Sequence, residues 1–196
     1  MNARLVLGAL ALWAGVSHAN PLILPTFPPP TGLSTGGASK KSSGPNRPLR
    51  LRIPVGTLIN VHLGEAVVLD PVPGPLERAL LRRALRDRAN WEERDIDPRP
   101  LQVLRSALVA FGARRVEVIS AYRSDKLNEM LRKKGRHVAR QSQHVLGRAV
   151  DFRIVGVPTR DLLRYVRTIH RGGVGFYPSS GFVHVDSGRD RQWRGE

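Results

Sequence analysis

Two kinds of metal-binding side chain stand close together in the stretch from Ser142 to Asp151. His144 and Asp151 are seven positions apart, and a further candidate, His184, follows thirty-three residues after Asp151. Imidazole nitrogens and carboxylate oxygens are common zinc ligands, and three protein ligands leave a fourth position open, as in catalytic sites. The sequence therefore predicts a catalytic metal centre at His144, Asp151 and His184 with Zn²⁺ as its cofactor. The same ligands also suit other divalent ions, so the physiological metal stays open.

The chain between the first two ligands must bend. Seven residues of α-helix would separate them by roughly 10 Å, too far for both to lie about 2.0–2.2 Å from one zinc ion. Gly147 is the predicted turn, since glycine tolerates backbone angles that other residues avoid. Apolar and polar residues alternate over 149–155 and over 182–186, which predicts a strand in each segment. If these strands pair about 4.8 Å apart, Asp151 and His184 converge and the first histidine reaches over from the loop.

The elements around these strands predict an α+β fold, with a central antiparallel sheet that carries the zinc site and helices that flank it. Alternating apolar residues predict a meander over 49–69, a strand over 116–121 and a hairpin over 174–186. Proline, serine and glycine signals predict helices from Pro75, from Pro100 to Gly112, from Ser124 to Gly135, and from Pro158 to near Gly172. The first helix is expected to bury a stripe formed by Leu76, Leu80 and Ala84, with Leu81 as a further candidate.

Five motifs carry a resemblance to known proteins. The pattern Ser-x-His-x-x-Gly-x-Ala-x-Asp with a later histidine resembles the zinc peptidases that cut D-amino-acid peptides of the bacterial cell wall, the D-alanyl-D-alanine metallopeptidase and LAS group. The chain looks more closely like the murein endopeptidase K family in its segments Asn60 to Glu65, Ser120 to Ser124, Gly172 to Tyr177 and Phe182 to Asp186. This resemblance covers roughly Pro48 to Trp193.

The resemblance implies an exported zinc metallopeptidase that hydrolyses amide bonds in peptidoglycan stem peptides, as a cross-link endopeptidase. Two alternatives remain: a D,D- or L,D-carboxypeptidase, or a non-catalytic, zinc-containing module that binds peptidoglycan. The sequence does not say which peptidoglycan bond is cut. In the related peptidases the arginine of the Ser120 to Ser124 motif points toward the metal, which implies that Arg123 binds a substrate carbonyl or the oxyanion.

The general base is the open question in this resemblance. Many relatives have a carboxylate three residues before the last ligand, where this chain has Gly181, and the histidine that some carry two residues before that ligand is Phe182 here. Asp186 is the nearest carboxylate. It is a candidate base, or it orients His184 by a hydrogen bond. The other histidines of residues 48–196, at positions 62, 137 and 170, are expected to be structural or solvated.

The N-terminal segment predicts export. Residues 1–19 contain Arg4, an apolar run over 5–16 and the tripeptide Ser17-His18-Ala19, as in a signal peptide. Residues 20–47 are rich in proline, glycine and serine and predict a disordered linker, and 48–196 form the predicted zinc peptidase domain. We expect a periplasmic or secreted protein with no integral membrane segment after signal cleavage.

The charge of the chain favours anionic partners. The formal net charge is +16 and aromatic residues make up 6% of the sequence. Basic and aromatic residues do not form the stripe that stacks nucleic-acid bases, so no nucleic-acid partner is expected. Peptidoglycan stem peptides are the expected partner because they carry carboxylates, and the oligomeric state stays open.

Overall fold

A computed structural model describes residues 53–135, 139 and 141–196 of the chain. The predicted signal peptide, the predicted linker, strand positions 49–52 and His137 lie outside these residues. Residues Pro48–Glu196 belong to one compact unit. Among the residues that the structure describes, no helix combines the length and the apolar character needed to cross a bilayer.

The described residues form seven strands and four helices. In order they are β1 (Gly56–Asn60), β2 (Ala66–Leu69), α1 (Pro75–Ala84), α2 (Pro98–Ala110), β3 (Arg115–Ser120), α3 (Asp125–Lys133), β4 (Ala149–Ile154), α4 (Thr159–Ile169), β5 (Gly173–Tyr177), β6 (Phe182–Asp186) and β7 (Arg191–Arg194). The predicted α+β class is confirmed. Helix α3 begins as expected, because Ser124 Oγ accepts a hydrogen bond from Leu127 N at 3.2 Å and caps the helix.

The strands form one mostly antiparallel sheet in the order β2-β1-β3-β4-β6-β5-β7. The central strands β3, β4, β6 and β5 pair antiparallel, as predicted. Two pairings, β1 with β3 and β5 with β7, are parallel, and strand β7 itself was not predicted from the sequence. The predicted β4–β6 pairing is present, with Asp151 directly opposite His184.

One face of the sheet carries the hydrophobic core. Val150 and Phe152 of β4 and Val183 and Val185 of β6 are fully buried, and helices α2 and α4 pack over these strands. Side chains alternate between faces along a strand, so the intervening polar residues of β4 and β6 point to the opposite face. The fold therefore separates the core from a polar face on the same two strands.

Helix α1 differs from its prediction. Leu76 and Leu80 are 74% and 45% exposed, whereas Leu81 is buried in the core beside Ala84. Glu77, one turn earlier, is also buried and forms an ion pair with Arg105 of α2. The predicted stripe was therefore wrong at Leu76 and Leu80 and right at Ala84 and Leu81, because the buried face of the helix is the one that carries Glu77, Leu81 and Ala84.

Candidate metal centre

Three side chains on the polar face converge on one point. The ligand atoms of His144, Asp151 and His184 all lie within 4.8 Å of one another, and all three side chains are buried. His144 Nε2 lies 3.2 Å from His184 Nδ1 and 3.3 Å from Asp151 Oδ2. His184 Nδ1 lies 2.7 Å from Asp151 Oδ1. The three predicted ligands thus come together from three separate parts of the chain.

The turn before β4 brings His144 into the cluster. Gly147 has φ +66°, as predicted for the reversal, and its carbonyl oxygen accepts a hydrogen bond from Asp97 N at 2.8 Å. A Cβ at this position would lie 2.6 Å from Asp95 O. Glycine is therefore required at position 147 for two reasons: the backbone is left-handed there, and the 95–97 segment approaches too closely for a side chain.

Hydrogen bonds on the far side of each ring set the orientation of both imidazoles. His144 Nδ1 lies 2.7 Å from Ala121 O, and His184 Nε2 lies 2.8 Å from Asp186 Oδ2. Each of these ring nitrogens carries the proton, because its partner can only accept. The lone pair of His144 Nε2 consequently faces the cluster, and His184 Nδ1 presents a lone pair there when its ring is neutral.

Burial and neighbouring charges set the protonation of the cluster. Burial, followed by the positive charge of Arg123, lowers the pKa of His144 to about 4, so this imidazole is neutral at pH 7. Burial alone would raise the pKa of Asp151, but its contacts with His144 and His184 hold the pKa well below its usual range. For His184, hydrogen bonds to Asp151 and Asp186 outweigh burial and raise the pKa. The cluster thus joins an ionised carboxylate to imidazoles.

The donor set fits a zinc ion. Ligand atoms on a tetrahedral zinc, at about 2.0–2.1 Å from the metal, are about 3.3 Å apart, and the two separations from His144 Nε2 are 3.2 and 3.3 Å. The third separation, 2.7 Å between His184 Nδ1 and Asp151 Oδ1, is shorter and has the length of a hydrogen bond. Among the residues that the structure describes, no fourth His, Cys, Asp or Glu joins the cluster.

Arg123 borders the cluster on the β3 side. The segment after β3 is anchored by Ser124 N, which donates a hydrogen bond to the buried carboxylate of Asp87. Arg123 Nη2 then donates to Asp151 Oδ2 at 2.8 Å, and its Nε donates to Ser120 Oγ at 2.7 Å. The guanidinium therefore lies next to a candidate metal ligand, where the family motif implied it.

Asp186 lies behind His184, on the side away from the other two ligands. Its side chain is fully buried and accepts hydrogen bonds from His184 Nε2, from both Nη atoms of Arg191 and from Gly188 N. Burial opposes ionisation, yet the bonds from His184 and Arg191 lower the pKa of Asp186 far below its usual value. The backbone oxygen of Asp186 accepts a bond from His170 Nε2 at 2.9 Å, so His170 supports the same strand.

The cluster of His144, Asp151 and His184 opens into a cavity of about 1200 Å³ on the polar face. On the β1 side its wall includes Asn60 and His62, and on the β7 side it includes Tyr177, Trp193 and Arg194. His62 lies in the turn after β1 rather than within the predicted strand, and its backbone N donates to Asn60 Oδ1 at 3.0 Å. The cavity thus continues past the ligands in both directions along the sheet.

Comparison with known proteins identifies the family. The model of a peptidase family described as peptidoglycan L,D-endopeptidase MepK matches residues 74–193, a span that contains all three candidate ligands. The chain belongs to this MepK family. The resemblance to the murein endopeptidase K family predicted from the motifs is thereby confirmed.

Individual MepK proteins match over different lengths. The probable peptidoglycan L,D-endopeptidase MepK of Haemophilus influenzae is 40% identical over 113 residues, which cover 57% of this chain and 61% of that protein. The peptidoglycan L,D-endopeptidase MepK of Escherichia coli K12 is 38% identical over 142 residues, which cover 70% of this chain and 78% of that protein. The match thus spans about three fifths of the Haemophilus protein. No solved structure matched the chain significantly.

Three residues of the site were not predicted from the sequence. Arg191 binds Asp186, the Trp193 ring lies 5.0 Å from the His184 ring, and Tyr177 accepts a hydrogen bond from Trp193 Nε1 at 3.1 Å. Tyr177 ends a quoted family motif, which was a signal for it. Arg191 and Trp193 belong to the short strand β7, whose sequence gave no strand pattern.

Proposed function

We propose that the chain is an exported, zinc-dependent endopeptidase that hydrolyses peptide cross-links of peptidoglycan. The observation that carries this proposal is the convergence of His144, Asp151 and His184, with their ligand atoms within 4.8 Å of one another, on the wall of a large open cavity. Membership of the MepK family supports the substrate class, because the relatives' names specify peptidoglycan.

The three ligands define the chemistry. Two imidazole nitrogens and one carboxylate oxygen would hold a zinc ion and leave one position for a ligand that is not protein. A zinc ion bound there supplies Lewis acidity toward water and toward a peptide carbonyl. The chain itself keeps both imidazoles in the binding tautomer through Ala121 O and Asp186, and keeps Asp151 ionised.

The cavity supports cleavage inside a peptide rather than at its end. It extends from the β1–β2 turn at one side of the ligands to β7 at the other. Cleavage of an internal bond needs room for the peptide on both sides of the reacting carbonyl. A carboxypeptidase instead needs a cavity that ends just beyond the C-terminal residue of the substrate. Arginines in the cavity wall, including Arg123 and Arg194, suit the carboxylates of stem peptides.

We assign Arg123 and Asp186 different roles. Arg123 lies beside Asp151 at the edge of the cavity, and we propose that it binds the substrate carbonyl or the oxyanion. Asp186 is fully buried, and its oxygens are engaged by His184, Arg191 and Gly188. Of its two interpretations, we therefore propose that it orients His184 and is not the general base.

The proposal is tested with purified protein and sacculi. We expect release of new muropeptides, detected by mass spectrometry, that stops with a chelator and returns when Zn²⁺ is added. Asp151→Asn should abolish release, while the same change at the exposed Asp190 should leave it intact. Sacculus binding without any release, under every metal condition, would contradict the proposal and favour a zinc-containing binding module.

Export is tested separately. The N-terminal residues 1–19 are proposed to be cleaved before Asn20, with the domain acting in the periplasm or outside the cell. Expression of the full chain in a Gram-negative host followed by fractionation and N-terminal sequencing should give a periplasmic product that begins at Asn20. A cytoplasmic product that retains Met1 would contradict this part.

A further inference from the structure

Aromatic side chains line the metal cavity on its β5 and β7 side. The rings of Tyr177 and Phe182, which are opposite each other on β5 and β6, stack with centroids 4.5 Å apart and an angle of 17°. Trp193 of β7 completes this aromatic wall. The three rings therefore border the cluster on the side opposite Arg123, since β6 and β5 follow β4 in the sheet.

Trp193 connects the metal ligand His184 to Tyr177. Its ring centroid is 5.0 Å from that of His184, and its Nε1 donates a hydrogen bond to Tyr177 Oη at 3.1 Å. Gly175 is opposite His184 on one side and Trp193 on the other. A Cβ on Gly175 would lie 2.6 Å from the indole ring, so a glycine is needed for the ring to occupy this place.

This arrangement leaves the Tyr177 hydroxyl proton available. The oxygen accepts from Trp193 Nε1, and a phenol still has one proton to donate. Among the residues that the structure describes, the Tyr177 hydroxyl accepts this bond and makes no hydrogen bond as a donor. Tyr177 is part of the cavity wall and interacts electrostatically with both Asp151 and Arg123. Burial, the largest effect, raises the pKa of Tyr177, so the hydroxyl keeps its proton at neutral pH.

We propose that Tyr177 is a further catalytic residue, whose hydroxyl donates a hydrogen bond to the carbonyl oxygen of the scissile peptide bond, and that Trp193 is the positioning residue that holds this hydroxyl. The inference rests on the proposed peptidase function. Arg123 and Tyr177 then approach the reacting group from opposite sides of the three ligands. The hydrogen bond strengthens as negative charge develops on the oxygen, and it breaks no covalent bond of the tyrosine.

The test removes the hydroxyl and keeps the ring. In Tyr177→Phe the stack with Phe182 is retained, so the protein should fold as the wild type does and its zinc affinity should change by less than about twofold. The value of kcat should fall about 10²-fold, as for other lost oxyanion donors. A peptide phosphinate that mimics the tetrahedral state should bind more weakly by a similar factor. Tyr165→Phe is the matched control, because Tyr165 Oη donates to Ser106 O at 3.1 Å, away from the cavity wall.

The role of Trp193 is tested by a double-mutant cycle. Trp193→Phe removes the indole N–H and should lower kcat less than Tyr177→Phe does. If Trp193 acts through the hydroxyl, adding Trp193→Phe to Tyr177→Phe should lower kcat no further. Full additivity of the two losses would overturn the positioning role.

Three outcomes would overturn the catalytic role of Tyr177. These are a kcat of Tyr177→Phe within twofold of wild type, a rise in KM with kcat unchanged, and undiminished phosphinate affinity. An inactive wild-type protein would overturn the peptidase proposal together with this one, whereas an active wild type with an active Tyr177→Phe variant would overturn this inference alone.

Discussion

Replacing Asp186 by Asn separates the two roles that the sequence left open for this residue. The carboxylate oxygens accept four hydrogen bonds, from His184 Nε2 at 2.8 Å, Arg191 Nη1 at 3.0 Å, Arg191 Nη2 at 2.7 Å and Gly188 N at 2.8 Å. An amide has a single oxygen, so in either orientation its NH₂ group faces two of these donors. The negative charge that balances Arg191 is lost as well.

The expected magnitude follows from the position of Asp186 behind His184. Loss of a residue that orients a metal ligand lowers metal affinity about 10- to 100-fold, which equals about 1.4–2.8 kcal/mol. Excess zinc should therefore restore most of the activity of Asp186→Asn. A general base would behave differently, since its removal would lower kcat by roughly 10²–10⁴-fold at saturating zinc and leave zinc affinity unchanged.

The assay combines zinc affinity with turnover. Zinc dissociation constants are measured by competition with a chromogenic chelator, and muropeptide release is measured over a zinc titration. Asp190→Asn, at an exposed position on the same loop, is the control. Arg191→Gln should weaken zinc binding in the same direction, since it removes two of the four bonds. A zinc affinity of Asp186→Asn within twofold of wild type, with a 100-fold lower kcat at saturating zinc, would refute the orienting role.

Two further predictions concern stability. Gly147→Ala should lower the free energy of unfolding by about 2–4 kcal/mol and weaken zinc binding, because alanine is strained at φ +66° and its Cβ would lie 2.6 Å from Asp95 O. Gly156→Ala, with φ +83° and open space around it, should cost only about 1–2 kcal/mol in urea unfolding, and equal losses would contradict the contact argument. The second prediction concerns Asp97, whose pKa is lowered from an ordinary 3.8 to about 2, chiefly by hydrogen bonding from Arg99. The ionised Asp97 carboxylate therefore stabilises the fold above pH 4, and this contribution is lost as the pH falls through 2. Thermal unfolding should show Asp97→Asn less stable than wild type by about 1–2 kcal/mol at pH 6, with the difference shrinking between pH 4 and 2; a difference independent of pH would contradict the assignment.

The ligand cluster was predictable because its signals are local. Alternation along residues 149–155 and 182–186 fixes which side chains share a face, and a glycine between His144 and Asp151 marks the reversal. The structure places Asp151 directly opposite His184. The short-range rules set the face of each side chain, and the assumed pairing of β4 with β6 brings the candidate ligands together.

The burial of α1 was not predictable in the same way. A hydropathy pattern assigns Leu76 and Leu80 to the core, yet both are exposed. The decisive contact joins Glu77 to Arg105, residues 28 positions apart, and Glu77 also accepts a hydrogen bond from Asp70 N. A buried carboxylate needs such partners, and pairing across that distance leaves no periodic trace in the sequence.

The role of Asp186 could not be chosen from the sequence for a related reason. Its partner Arg191 lies on β7, a strand of four residues in which only Trp193 is strongly apolar. Such a segment shows no period-two pattern. The sequence alone therefore gives Asp186 no partner on β7, and a role as general base stays possible. In the structure, Arg191 of β7 donates hydrogen bonds to both carboxylate oxygens of Asp186.

The glycines of the motif Gly172 to Tyr177 explain how β7 reaches the metal site. Strand β5 lies between β6 and β7, so side chains of β7 can contact β6 only where β5 has no side chain in the way. Gly173 is opposite Arg191 and Gly175 is opposite Trp193, and a Cβ at either position would collide with that partner's side chain. Through these two gaps Arg191 reaches Asp186 and Trp193 reaches the His184 ring. The motif is therefore a structural requirement of the candidate metal centre, because any side chain at these positions would separate His184 and Asp186 from Trp193 and Arg191.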